Sequence, residues 1–252
     1  MSETISHRLI DAAQELIAEL KPLRFKAPVS HVYLPTEYAW DRHREYLERF
    51  GGGAAAAGGK KRVLMLGMNP GPWGMAQTGV PFGEIPAVRD WMGISGPVDR
   101  PENEHPKRPI EGFDCTRSEV SGRRLWGLFS SKFPMPEAFF ERHFVANYCP
   151  LVWMGETGKN ITPDKLPKSE MEPVERACRK HLAAVIAATE PEWLIGVGAY
   201  AEKKLIETVR EFFPNQVIRT GKILHPSPAS PLANRGWEPQ AERQLVEMGV
   251  WR

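Results

Sequence analysis

The chain has 252 residues, 42% of them hydrophobic and 25% charged, which suits a globular protein with a real core. Its formal charge of +2 neither requires nor excludes a nucleic-acid partner, because a local basic surface can sit within a balanced total. Cys115, Cys149 and Cys178 are widely spaced and form no CxxC, which argues against an iron–sulfur cluster or zinc knuckle and for a reducing compartment. No run approaches the roughly 18 apolar residues of a membrane span.

The N-terminal residues lack a basic stretch followed by an apolar run, so no signal peptide is expected. The compartment is then the cytoplasm of a bacterium or the nucleus of a eukaryote. Residues 5–21 repeat apolar positions with helical period (Leu9, Ile10, Ala13, Leu16, Ile17, Leu20), and Pro22 closes them. A second helix is expected over residues 37–50, completing a helical N-terminal part. Residues 51–59 are only Gly and Ala, a flexible surface loop within one domain spanning 1–252. A short buried strand follows at 63–67. Residues 84–116, rich in Pro and charge, predict a long ordered loop with a helical piece near 88–92. Helices are expected at 118–133, 136–142, 170–189, 200–212 and 236–248, and further strands at 144–148, 193–198 and 217–224. Strands alternating with helices predict an α/β fold, with a mostly parallel four-stranded sheet covered on both faces.

Two segments about 150 residues apart stand out: GMNPGPWGMAQTGVPFG at 67–83 and HPSPASPLANRGW at 225–237. Each follows an apolar run that reads as a buried strand, and each is crowded with Gly and Pro that fix unusual backbone paths. Both read as stiff loops rather than helix or strand, displaying one polar side chain each, Asn69 and His225. Asn69, Asn147 and His225 fall at or just past the C-terminal ends of strands, the edge where open α/β sheets bind ligands. Taken alone, Asn69 reads equally well as a turn asparagine bonding its own backbone, and Asn147 as a satisfied strand-end amide. Gly53 to Lys60 only superficially matches a phosphate loop: Lys60 is one place late, Lys61 replaces Ser/Thr, and the glycines precede a strand.

At these segments the chain resembles the single-strand-selective monofunctional uracil-DNA glycosylases, a branch of the uracil-DNA glycosylase superfamily. The resemblance rests on both segments and on EYAW (37–40), VRDW (88–91), EHPKRP (104–109), SEVSG (118–122) and Asn147 followed by CPL (149–151). It covers about residues 25–250 and implies a three-layer fold and release of uracil from DNA without metal or cofactor. The implied partner is single- or double-stranded DNA, bound by a monomer with no membrane association.

The resemblance also implies roles. His225 donates to O2 of the departing uracil anion. Asn69 positions the water that attacks an oxocarbenium-like sugar. Asn147 pairs with N3–H and O4, and Phe82 stacks on the base, though core packing is the ordinary reading of a phenylalanine. Gly71 leaves space near C5, so 5-substituted uracils can enter, and backbone groups near Met68 bond to the base. No lysine occupies either segment, in keeping with hydrolysis without a Schiff base. Pro226, Ser227, Pro228, Ala229, Ser230 and Pro231 form the wedge that enters the duplex, and Arg235 touches phosphate. Vertebrate members carry arginine and asparagine where Ala229 and Ser230 stand, so this tip is small and uncharged. Lys107, Arg108, Arg123 and Arg124 suit phosphate contacts, although charge clusters are commonly just solvated. The rival readings are a glycosylase of the same fold preferring hypoxanthine or xanthine, and a catalytically silent DNA-binding module.

Overall fold

The computed structural model describes residues 4–53 and 60–252. The larger part of the Gly/Ala loop expected at 51–59 therefore lies outside the described residues. Four parallel strands form the central sheet: β2 (Val63–Gly67), β3 (His143–Asn147), β6 (Trp193–Val197) and β7 (Arg219–Ile223), in the order β3-β2-β6-β7. β2 and β6 are buried along their whole length, as strands covered on both faces must be. β7 closes one edge and exposes Arg219, Thr220 and Lys222, polar and charged residues that discourage pairing with another chain.

Helices cover both faces. On one side lie α1 (Ile5–Leu20), α3 (Trp40–Phe50), α7 (Lys168–Thr189) and α8 (Ala199–Phe212). Phe144 and Ala146 of β3 share a cavity with α1, α3 and α7 residues, and at Gly196 a single added methyl would meet the backbone of Glu202 in α8. On the other side α9 (Trp237–Glu247) and the residue after it, Met248, approach Gly221 and Ile195, with α5 (Val120–Lys132) packed against α9. The alternation of Ile195 and Gly196 between the two layers follows from the two-residue period of a strand. One hydrophobic cluster runs from Ile5 to Val250.

The expected second helix is broken: α2 (Pro35–Tyr38) stops at Ala39, whose φ of −101° and ψ of 30° leave the helical region, before α3 begins. The helical piece near 88–92 is a single π turn, Ala87–Trp91. A second sheet was not legible in the sequence. β1 (His31–Tyr33), β4 (Val152–Met154) and β5 (Asn160–Ile161) pair antiparallel in the order β1-β4-β5. The two stiff segments also contain short helical turns, α4 (Met75–Thr78) in the first and a 3-10 turn, Ala233–Arg235, in the second. Expecting neither to hold helix was wrong at these turns, because Gly and Pro rigidify only the residues around them. The last helix of the layer set, α6 (Pro136–Phe140), leads into β3.

Candidate active site

Because all four strands are parallel, their C-terminal ends share one edge, and Asn69, Asn147 and His225 meet there. Gly67 is directly opposite Asn147 in register. The pairing continues past the strands, with Tyr148 N–H donating to Gly67 O (2.9 Å) and Cys149 N–H to Met68 O (3.0 Å). This lacing fixes the Asn69 and Asn147 loops side by side and engages the Met68 carbonyl. β7 lies two strands from β2, so the strand ends that lead into Asn69 and His225 are about 10 Å apart at ordinary strand spacing.

Asn69 is held by its amide nitrogen. Nδ2 donates to the carbonyl of Leu151 at 3.2 Å and lies 3.4 Å from that of Pro70. Two carbonyl partners require the NH2 group on that side, so Oδ1 is the face left to accept a hydrogen bond. The side chain is thereby preset as an acceptor.

His225 is set the opposite way, as a donor. The Ser227 backbone N–H donates to its Nδ1 at 3.1 Å, so in the neutral ring the proton sits on Nε2. Burial lowers the imidazole pKa below its ordinary value, and protonating Nδ1 would set it against the Ser227 amide. The ring packs on Gly198, whose φ is +93°, and a Cβ there would lie 3.0 Å from that of His225. Glycine is needed for the backbone angle and for the close approach.

The loop after His225 is braced from α5. Arg124 donates from one terminal nitrogen to Pro226 O at 2.8 Å and from the other to Asn234 Oδ1 at 2.9 Å. Asn234 Nδ2 in turn donates to Pro228 O at 2.8 Å. Arg124, expected from the sequence to face phosphate, instead ties the two ends of this loop together. Pro226 is buried, while Pro228, Ala229, Pro231 and Arg235 are exposed and Ser227 and Ser230 half-buried. The Ser227 hydroxyl accepts from Ala229 N–H at 3.1 Å, closing a tight turn at the tip.

Phe82 is one of two non-glycine residues at positive φ among those described (+54°), a conformation that costs an aromatic residue about 1–3 kcal/mol. Its neighbours enforce it. Trp126 Nε1 holds Pro81 O at 3.2 Å, Gly83 N–H donates to Val80 O at 2.9 Å, and Glu84 N–H to Phe82 O at 2.7 Å. The ring lies over Gly67 together with Asn147 Oδ1. Asn147 Nδ2 touches only the soft Met75 sulfur, at 3.3 Å, a weak acceptor, so the amide is poorly satisfied and open to a better partner. Gly67→Ala would push a methyl into both side chains, with Phe82 Cζ at 2.6 Å. We expect about 1–3 kcal/mol of destabilisation, the usual cost of overpacking, read as a lower urea midpoint. An unchanged midpoint would mean the phenyl ring yields freely.

Three further contributors lie within segments that carry the resemblance, but nothing in the sequence assigns them a role. Gln77 is fully buried: Nε2 donates to Pro72 O and Pro109 O, both at 3.0 Å, and Oε1 accepts from the amides of Glu111 (2.9 Å) and Gly112 (3.1 Å). It clamps the Asn69 loop to the 109–112 segment. The Leu151 carbonyl orients Asn69 through the main chain. Glu119 places one oxygen on the Ser121 amide at the start of α5 (3.2 Å) and the other against Gly71 and Gly74. Burial holds its carboxyl above the usual range, with the Ser121 hydrogen bond opposing. Of the remaining cations, Arg123 donates to the Ser118 hydroxyl at 2.9 Å, and Lys107 is exposed.

The arrangement is one preset acceptor, one preset neutral donor, one undersatisfied amide and one strained aromatic ring on a single sheet edge. It suits a flat, hydrogen-bonding ring whose negative charge grows on one side as water is positioned on the other. No helix among the described residues is long and apolar enough to cross a membrane.

Residues 56–246 match the uracil DNA glycosylase superfamily. The single-strand selective monofunctional uracil DNA glycosylase of Bos taurus is 46% identical, over 92% of this chain and 82% of its own length. That of Mus musculus is 42% identical, over 99% of this chain and 86% of its own. The crystal structure of wild-type Pedobacter heparinus SMUG2 superposes with a TM-score of 0.62 at 16% identity, covering 95% of this chain and 97% of that one, a likeness of fold.

Proposed function

The chain belongs to the uracil DNA glycosylase superfamily, and we propose that it releases uracil from DNA as a monofunctional glycosylase that starts base-excision repair. The observation that carries this reading is the opposite presetting of Asn69 and His225. Extruding the nucleotide brings the base to the sheet edge. Phe82 covers its face, and Asn147, freed from the Met75 sulfur, pairs with N3–H and O4. Cytosine, with that donor–acceptor order reversed, is refused. As the glycosidic bond lengthens, electrons move into the pyrimidine and charge builds on O2, where His225 Nε2–H donates. Asn69 Oδ1 accepts from a water on the far face of the sugar, which adds to the anomeric carbon as the bond breaks. Hydroxyl joins the sugar, and the water's second proton leaves to solvent or to the departing base. A neutral amide suffices to position the water because the cation-like sugar needs little activation of its nucleophile.

The finer parts of the reading are that the whole chain acts as one domain and one monomer, on single and double strands, and that Met68 and Gly71 line the base pocket. The loop 226–231 is the wedge, with Arg235 on phosphate. The Arg124 brace and the proline-rich path favour a rigid wedge, while the small Ala229 and Ser230 favour a weak hold on duplex product.

The test is base release from single- and double-stranded oligonucleotides with EDTA present. Uracil release that leaves an abasic strand intact until alkali is added supports the reading. Release of hypoxanthine but not uracil transfers the site to another base, and DNA binding without release of any base would sink the enzymatic reading.

A further inference from the structure

Trp73 lies on the same loop as Asn69, just beyond it, and is half-buried. Two guanidinium groups lie over its ring, that of Arg108 5.0 Å from the ring centroid and that of Arg117 5.7 Å. A cation over an indole is attracted by the ring's negative face, so one side chain aligns two charges. Arg108 is fixed further: its Nε donates to Gly158 O at 2.9 Å and a terminal nitrogen to Lys107 O at 3.0 Å. The buried Gln77 clamp binds the segment carrying Arg108 to the loop carrying Trp73 and Asn69.

These charges are left uncompensated. Arg42, Arg44, Arg49 and Arg62 each meet a carboxylate. Among the described residues Lys107, Arg108 and Arg117 take part in no ion pair. The Glu119 carboxylate is turned inward to Gly71 and Gly74 and spends one oxygen on capping α5. Two aligned, unpaired guanidinium groups beside a base pocket are suited to phosphate, which accepts their fork of donors while their faces stay stacked.

We propose that Trp73 is a platform aligning Arg108 and Arg117 as a clamp for backbone phosphates of the strand on one side of the extruded nucleotide. The inference rests on the glycosylase reading above, which supplies the strand. The clamp reads no sequence and needs no second strand, so it holds single-stranded substrate where the wedge has no duplex to enter. Prealignment by stacking lowers the side-chain ordering that phosphate binding would otherwise cost.

The experiment measures binding of a fluorescein-labelled, uracil-free single strand against salt concentration. Arg117 is exposed, and Arg117→Gln is expected to reduce the slope of log K on log salt by about 0.7, one phosphate's share on a single strand. Its deficit relative to wild type then shrinks about threefold between 50 and 200 mM salt. Trp73→Ala should lower the slope at least as much, since Arg117 loses its platform and Arg108 keeps only its two carbonyl contacts, and Trp73→Phe should keep the wild-type slope. Wild-type slopes in both Arg117→Gln and Trp73→Ala overturn the clamp. The two readings fail separately, because the slopes judge the clamp whatever uracil release returns, and absent release overturns the glycosylase reading alone.

Discussion

His225→Ala is expected to slow uracil release about 10²–10³-fold, the usual cost of removing one preorganised donor to a developing anion. The effect should fall on the single-turnover rate with saturating enzyme, since the hydrogen bond strengthens only as charge reaches O2. The Ser227 amide on Nδ1 adds a second expectation. Burial holds the ring neutral by lowering its pKa, so the rate should not require an imidazolium. It should stay level as pH rises through the ordinary histidine range, about pH 6 to 8. His225→Gln, which keeps an N–H donor, should recover part of the loss. A His225→Ala protein within a few-fold of wild type, or a rate that collapses as the ordinary histidine range is crossed upward, would remove the neutral donor from the mechanism.

How much of this was legible in the sequence depended on whether a signal was local. The apolar run before Asn69 and the one ending at Asn147 predict buried parallel strands, as found. The buried strand expected before His225 is instead an edge strand exposing Arg219, Thr220 and Lys222, because it is covered on only one side. The C-terminal ends of all three share one edge. The glycines and prolines around Asn69 predict a stiff loop because each restricts its own dihedral angles. β1, β4 and β5 are two or three residues long, too short for alternation to emerge. The supports of the site are non-local: Arg124 reaches the His225 loop across 102 residues and Gln77 reaches Pro109 across 32. No composition or period marks such a pair. The Leu151 carbonyl that orients Asn69 belongs to the main chain, which every residue has. The sequence thus revealed the polar groups displayed at the sheet edge, and the structure revealed what keeps Asn69 and His225 each in one hydrogen-bonding state.

The same burial that stiffens the fold makes it sensitive to acid, and stability is expected to be greatest on the alkaline side of neutrality. His43 donates Nδ1–H to Gly79 O at 2.8 Å. His143 donates Nδ1–H to Phe139 O at 2.9 Å and accepts from Trp251 Nε1 at 3.0 Å. Both rings are thus satisfied as neutral imidazoles, and burial lowers each pKa from 6.5 to about 4. Unfolded, they take up protons at their ordinary pKa, so between about pH 6.5 and 4 the unfolded chain binds more protons and folding weakens as pH falls. Each histidine contributes about 3 kcal/mol across that window, a large share of the roughly 5–15 kcal/mol of a typical domain. His181 shifts the same way but is half-buried, so its share is smaller. Lys61, 1% exposed, donates Nζ–H to the carbonyls of Gly52 and Phe140, and burial lowers its pKa from 10.5 to about 7. Its sign is the same at higher pH: unfolded lysine stays protonated up to its ordinary pKa, so stability should keep rising from about pH 7 towards 10. Buried tyrosines such as Tyr46, raised above their usual pKa, end the rise once unfolded phenols ionise above about pH 10. Glu119, with its raised carboxyl, opposes the acid loss by a single group. Thermal melts across this range should give a midpoint that falls steeply below about pH 6 and climbs above 7. Lys61→Met should flatten the alkaline limb while leaving the acid limb in place. A midpoint level from pH 4 to 7 would mean that the buried histidines find charged-state partners on protonation, and the rigid neutral network drawn around His43 and His143 would have to be abandoned.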